Sequence, residues 1–196
     1  MCGRYEFSLA EPSLRALWET ARQRFPQAQM ETGEIFPSEL AAVLLGAEDG
    51  VQPQPARWGF PGSEGGLVIN ARAETAASKP MFREALRHSR CAVPVSAYFE
   101  WSHDRAHNKY SLRPHGHGVF YLAGLCRDYH DGRRFVILTR PAGRSVADLH
   151  DRMPVILTPD EVEDWVSDPE RTGYLLTQEA PDLERRSEDY EQQSLF

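Results

Sequence analysis

Cysteine is scarce in this 196-residue chain: Cys2, Cys91 and Cys126 are three in number and widely scattered. An odd, dispersed set excludes a disulfide framework and points to a reducing, cytoplasmic home. Lysine is scarcer still, with Lys79 and Lys109 the only two among 22 basic residues. Long apolar runs are missing too. The longest, Leu40 to Leu45, falls far short of the roughly 20 residues that span a bilayer. The N-terminus has no basic stretch followed by an apolar one, so no secretory signal is expected. No internal repeat is present, which excludes solenoids and propellers.

What the chain does contain suits a globular protein. Apolar residues make up 41% and charged residues 26%, a balance that argues against disorder. The formal net charge is −7, unevenly placed. From Asp160 onward 12 acidic residues face three arginines, so that segment carries −9 and residues 1–159 carry +2. The body is thus mildly basic and its end acidic. The 20 arginines admit two explanations. A guanidinium fork suits bidentate phosphate contacts, and a GC-rich genome enriches arginine codons without any such role.

Periodicity gives a coarse map. Ser8 with Glu11 reads as a capping box before a helix over about Glu11–Arg24, with Leu14, Leu17, Trp18, Ala21 and Phe25 at helical spacing. Leu40–Leu45 and Leu67–Ala71 read as buried strands, and Ser78 and Pro80 open a short helix to about Arg87. Strand-like runs follow at Ala92–Trp101, Val119–Cys126, Phe135–Thr139 and Pro154–Leu157, with Asp131-Gly132 as a hairpin turn. Thr158-Pro159-Asp160-Glu161 caps a helix bearing Val162, Trp165 and Val166. Residues 181–196 read as an acidic tail that does not pack, leaving one domain over 1–180. Many short strands with a few short helices predict an α+β domain on a curved, barrel-like, mostly antiparallel sheet.

Cys2 is the most informative residue. Methionine before a small second residue is normally removed, and the new terminus would carry an α-amine beside a thiol. Such a 1,2-aminothiol condenses with an aldehyde: the amine makes an imine and the thiol closes a thiazolidine ring. With an α-amine pKa of about 7.7–8.0, a useful fraction of the amine is unprotonated near neutral pH. The plainer alternative is a small hydrophobe at the chain end. Asn70 stands where an apolar strand meets a polar cluster. It either orients a substrate oxygen, with Arg72 on the same strand face, or simply ends the strand. Glu100 lies between aromatics in Tyr-Phe-Glu-Trp, where burial raises a carboxyl pKa and suits general acid/base work; a structural salt bridge is the alternative. His150, beside Asp151 and Arg152, is either a proton shuttle or a satisfied loop histidine. His103, His107, His115 and His117 fall in a stretch read as a solvent loop without a metal-ligand pattern. Cys91 and Cys126 read as core. Gly65-Gly66 reads as a turn, not a phosphate loop.

Several blocks of this chain resemble the SRAP family, named for SOS response-associated peptidase. They are Met1-Cys2-Gly3-Arg4-Tyr5, Arg57-Trp58-Gly59-Phe60, Ile69-Asn70-Ala71-Arg72-Ala73-Glu74-Thr75 and Lys79-Pro80-Met81-Phe82-Arg83. Further matches are Arg90-Cys91-Ala92-Val93-Pro94, Tyr98-Phe99-Glu100-Trp101, Ala123-Gly124-Leu125, Ile137-Leu138-Thr139 and His150-Asp151-Arg152-Met153-Pro154-Val155-Ile156-Leu157. The blocks keep family order to about Trp165. One departure stands out: Glu34-Ile35-Phe36-Pro37 replaces the commoner Asn-Ile-Ala-Pro.

The resemblance implies a sensor of abasic sites in single-stranded DNA, which crosslinks its N-terminal cysteine to the ring-opened sugar. By position it assigns Cys2, Asn70, Glu100 and His150 to catalysis. Arg4, Arg72, Thr139 and Arg152 would contact DNA, and Trp58 would stack on a base, a contact worth about 1–3 kcal/mol. It implies no cofactor or metal, a monomer, association with the nucleoid and peptide cleavage limited to freeing Cys2. The last five residues, Gln192-Gln193-Ser194-Leu195-Phe196, resemble the bacterial sliding-clamp binding peptide; Gln192, Leu195 and Phe196 are its expected anchors. Two other readings stay open: a cysteine peptidase using Cys2, His150 and Asn70, and a non-covalent single-strand binder.

Overall fold

A computed structural model describes residues 2–103, 105 and 107–187. Its strands are β1 (Tyr5–Phe7), β2 (Gly33–Ile35), β3 (Leu40–Ala47), β4 (Gly50–Trp58), β5 (Phe60–Pro61), β6 (Leu67–Val68), β7 (Asn70–Arg72) and β8 (Arg90–Val95). They continue with β9 (Ala97–Trp101), β10 (Lys109–Pro114), β11 (Phe120–Tyr129), β12 (Gly132–Pro141), β13 (Arg152–Pro154), β14 (Ile156–Leu157) and β15 (Leu183–Ser187). The helices are α1 (Pro12–Arg24), α2 (Ala73–Ala76), α3 (Arg83–His88), α4 (Val162–Ser167) and α5 (Thr172–Thr177).

Five strands close into a barrel. β12 pairs with β4, β4 with β3, β3 with β8, β8 with β11, and β11 returns to β12. Every step is antiparallel except β4–β12. Closure removes the unpaired edges that an open sheet must protect. β7 adds to β12 in parallel, in register Ile137↔Asn70 and Thr139↔Arg72. A second sheet runs β15-β10-β9-β1-β2. β8 and β9 are separated only by Ser96, so one chain segment passes from the barrel into this sheet.

Two apolar cores hold these layers. One joins both sheets through Tyr5, Trp58, Phe135 and Leu122; the other packs α3 and α4 on the barrel through Trp165, Leu125 and Val136. α1 starts with Pro12 in its first turn and turns Leu14 and Ala21 inward. Arg90 is buried yet satisfied: its guanidinium donates to the carbonyls of Leu86, Arg87 and Trp165, tying α3 and α4 to β8.

The architecture agrees with the α+β, barrel-like expectation, with local corrections. Ser8 and Glu11 form no capping box; Glu11 itself is the N-cap, without a side-chain bond to the helix. The box at Thr158 and Glu161 does form, opening a single 3₁₀ turn before α4. The histidine-bearing stretch is not all solvent loop, because β10 runs through it with Leu112 inward. The stretch read as an unpacked tail contains β15, five residues paired along β10 with Leu183 buried. Its run of three charged residues, Glu184-Arg185-Arg186, hid the strand. Residues 188–196, including Gln192, Leu195 and Phe196, lie outside the described residues.

Candidate active site

The N-terminal segment leads into the five-stranded sheet: Cys2 stands three residues before the start of β1, which lies between β2 and β9. The β1–β9 ladder pairs Tyr5 with Tyr98 and extends outward through the Phe99 amide donating to the Arg4 carbonyl, 3.0 Å. That register carries the chain end toward Glu100. Asn70, the first residue of β7, fixes it from the barrel side: its Nδ2 donates to the Cys2 carbonyl at 2.9 Å. Three segments far apart in sequence, bearing Cys2, Asn70 and Glu100, thus converge.

Electrostatics reinforce the grouping. Cys2 is fully buried, and burial pushes its thiol well above the usual range, with the negative charge of Glu100 adding to the rise. Burial likewise raises Glu100, and Asp151 adds a smaller push. Tyr98 is raised by burial and by both Cys2 and Glu100. Cys2 and Tyr98 both feel the charge of Glu100, and Glu100 feels that of Asp151, the neighbour of His150. The hydroxyls of Tyr5 and Tyr98 and Oδ1 of Asn70 find no hydrogen-bond partner among the described residues.

His150 sits in the loop before β13. Burial lowers its pKa, and the nearby Asp151 opposes that change while His103 and Arg152 add to it. Its Nδ1 accepts the Arg152 amide at 2.9 Å and also lies 2.7 Å from Asp151 Oδ1. Those two partners demand opposite protonation states: a neutral Nδ1 accepts the amide, whereas a protonated one donates to the carboxylate. An imidazole held between such partners is fitted to move a proton.

The arginines divide into types. Arg152 is almost enclosed: its guanidinium spans Glu74, at 2.5 and 2.9 Å, and the Thr139 carbonyl, at 2.6 Å. Its contact with Glu74 holds that carboxyl below the usual range. Thr139 is itself buried and receives Arg152 through Oγ1 at 3.3 Å, so it positions Arg152. It offers no surface to DNA. Arg72 is exposed, two residues beyond Asn70 with Ala71 turned inward between them. Arg4 lies at the rim, paired to Glu34 at 3.3 Å and packed over the rings of Phe36 and Trp101 at 4.2 and 4.9 Å.

Trp58 requires a correction. It is 0% exposed, donates Nε1 to the Ile69 carbonyl and packs against Tyr5 and Phe135. No face remains for a base. The reason is its place as the last residue of β4, where the barrel closes onto β12. The aromatic surface near the chain end belongs to the exposed Phe36 and the half-buried Trp101, which sequence reasoning passed over. Phe36 was legible as a large apolar residue in a polar turn; Trp101 was noted only as a neighbour of Glu100. Cys91 and Cys126 are buried, as expected. Among the described residues no group of His, Cys, Asp and Glu is arranged to hold a metal ion. No described helix is long and apolar enough to cross a membrane.

Comparison with known proteins follows the same lines. The chain is 29% identical over 204 residues to the abasic site processing protein YoaM of Bacillus subtilis, covering 94% of this chain and 89% of that one. It is 29% identical over 176 residues to the abasic site processing protein YedK of Escherichia coli, covering 85% and 79%. Solved structures share the fold. A Bordetella bronchiseptica protein gives a TM-score of 0.76 at 22% identity, covering 95% of this chain and 99% of that one. One from Bacteroides thetaiotaomicron gives 0.75 at 23%, covering 97% and 94%. The family model for SOS response associated peptidase (SRAP) matches residues 1–189, and the chain belongs to that family.

Proposed function

We propose that this protein senses abasic sites in single-stranded DNA and captures them covalently through Cys2. The observation that carries the proposal is the Asn70–Cys2 hydrogen bond at 2.9 Å, which fixes the chain end beside Glu100. Met1, whose removal the chemistry needs, lies outside the described residues. Once it is gone, the α-amine of Cys2 attacks the aldehyde carbon of the ring-opened sugar, forming a C–N bond. Loss of water from that adduct gives an imine. The thiol then adds across the C=N bond: sulfur bonds to carbon and its proton ends on nitrogen. One water is released overall and a thiazolidine remains.

The side chains match these steps. The raised Glu100 carboxyl holds its proton to higher pH than an ordinary carboxyl and can hand it to the departing hydroxyl. His150, lowered, is neutral there and can take a proton from the attacking amine. Asn70 Oδ1 is an acceptor for the amine or a sugar hydroxyl. The raised thiol leaves the α-amine as the first nucleophile, and sulfur adds only once the imine exists. The ring removes the imine that would otherwise act as electron sink for strand scission, so the lesion is shielded. Peptide cleavage is confined to exposing Cys2, the protein acts as a monomer near the nucleoid, and the SOS response is its setting. The terminal Gln192-Leu195-Phe196 anchors would bring it to the sliding clamp.

A single incubation tests the reading: purified protein with a single-stranded oligonucleotide carrying uracil, plus uracil glycosylase. A band stable to heat and SDS is expected, absent with Cys2→Ala and slowed about 10²-fold or more with Glu100→Gln. A complex that dissolves in SDS would leave only non-covalent binding.

A further inference from the structure

The replacement of the commoner Asn by Glu34 has a structural counterpart. Glu34 lies in the middle of β2, opposite Glu6 on β1. One carboxylate oxygen pairs with Arg4 at 3.3 Å and the other with the Lys109 ammonium. Lys109 opens β10 and stands across from Trp101 of β9. A single carboxylate therefore bridges two cations, one just before β1 and two residues from Cys2, the other opening β10. Rings also pack on the cations: Phe36 and Trp101 flank Arg4, and Phe99 lies 3.9 Å from Lys109 Nζ.

The support beneath Glu34 is rigid. The Phe36 amide donates to Glu39 Oε2 at 2.7 Å, the Ser38 amide to the Trp58 carbonyl at 2.9 Å, and Arg57 to the Ser38 carbonyl at 2.6 Å. Ser38 holds a left-handed φ of 77° within this turn. Glu34 is thus presented by a strand and a pinned turn. Yet all three partners keep some contact with water, with side-chain exposures of 29% for Arg4, 33% for Glu34 and 18% for Lys109. An ion pair with that access is exchangeable.

A carboxylate and a phosphodiester offer a guanidinium fork the same charge and a similar pair of acceptor oxygens. We propose that Glu34 is a built-in competitor for backbone phosphate: it occupies Arg4 and Lys109, and single-stranded DNA displaces it to bind. The inference rests on the single-stranded DNA reading above and adds a selectivity device to it. Arg4 and Lys109 still attract the DNA backbone by their charge. Their grip on undamaged strands is weakened, so a long dwell depends on covalent capture of the lesion.

The test uses DNA without abasic sites, so that no crosslink contributes. Binding of a fluorescent 20-nucleotide oligothymidylate to the full chain is measured across a salt series. Glu34→Gln is compared with the parent, with Glu34→Asp and with Glu48→Gln, which removes the same charge from an exposed turn. Glu34→Gln is expected to bind about three- to tenfold more tightly. Its dependence of log K on log salt should steepen by about 0.7–1.4, as one or two further phosphates are neutralised. Glu34→Asp should fall between, because the shorter side chain spans the two cations less well. Equal gains from Glu34→Gln and Glu48→Gln would reduce the effect to net charge and overturn the inference. Weaker binding by a folded Glu34→Gln would make Glu34 an aid to Arg4 and overturn it as well. Absence of binding by every variant, even at low salt, would instead remove the DNA-binding reading on which it rests.

Discussion

At the scale of single residues, the proposed chemistry depends on the protonation of His150, whose surroundings set opposing controls. Asp151 raises the imidazole pKa, whereas burial, His103 and Arg152 lower it. The His103 and His150 rings are 5.7 Å apart, tilted by 46°. Removing a negative neighbour disfavours the imidazolium; removing a positive one favours it. Asp151→Asn should therefore lower the His150 pKa and His103→Phe should raise it. If neutral His150 accepts the amine's proton, the acidic limb of the crosslinking rate follows: toward lower pH with Asp151→Asn, toward higher pH with His103→Phe. Titration of the His150 ring signals by NMR, beside the pH–rate profile, checks both. Limbs that stay in place while the ring pKa moves would take His150 out of the proton transfer. Sequence reading singled out Cys2, Asn70, Glu100 and His150 because each stood in an unusual local setting within a family block. It misplaced Trp58 because a strand-end tryptophan reads the same whether its ring faces solvent or core.

At the scale of elements, the barrel depends on close approach between β8 and β11. Gly124 faces Cys91 in register, and a Cβ there would stand 2.8 Å from Cys91 Sγ and 3.1 Å from the Val136 carbonyl. Gly124→Ala is therefore expected to cost about 1–3 kcal/mol, in the range of core overpacking. Adding Cys91→Ala should recover part of the loss, since the sulfur is the nearest obstacle. Urea denaturation of both variants measures the coupling; a double variant less stable than the sum of its parts would contradict it. β3, β11 and β12 were legible because their apolar runs are buried in the closed wall. β4 was not, owing to Pro53 and Pro55. Those prolines are tolerated because β4 meets β12 only at Arg57 and Trp58, leaving the Pro-bearing stretch paired on one side alone.

At the scale of the whole molecule, the sheet that carries Cys2 and Glu100 is finished by a strand from the far end of the chain. β15 pairs residue by residue with β10, and β10 supports β9. Leu183 is buried, Arg113 pairs with Glu184 at 2.5 Å, and Arg185 pairs with Asp148 at 2.6 Å. The acidic excess of this segment made it look like solvated chain, and only tertiary pairing reveals the strand. Two truncations separate its roles. Ending the chain after Asp182 removes β15 and bares the β10 edge; the lost burial of Leu183 and its ladder should cost about 2–5 kcal/mol and slow crosslinking through β9. Ending it after Ser187 keeps every described contact of β15, so melting temperature and crosslinking rate should match the parent. That shorter deletion still removes Gln192, Leu195 and Phe196, so calorimetric titration with purified sliding clamp should show binding by the full chain and none by the truncated one. Equal clamp affinity in both would dismiss the terminal peptide as the anchor, and a melting temperature lowered equally by both cuts would move the end of the folded unit beyond Ser187.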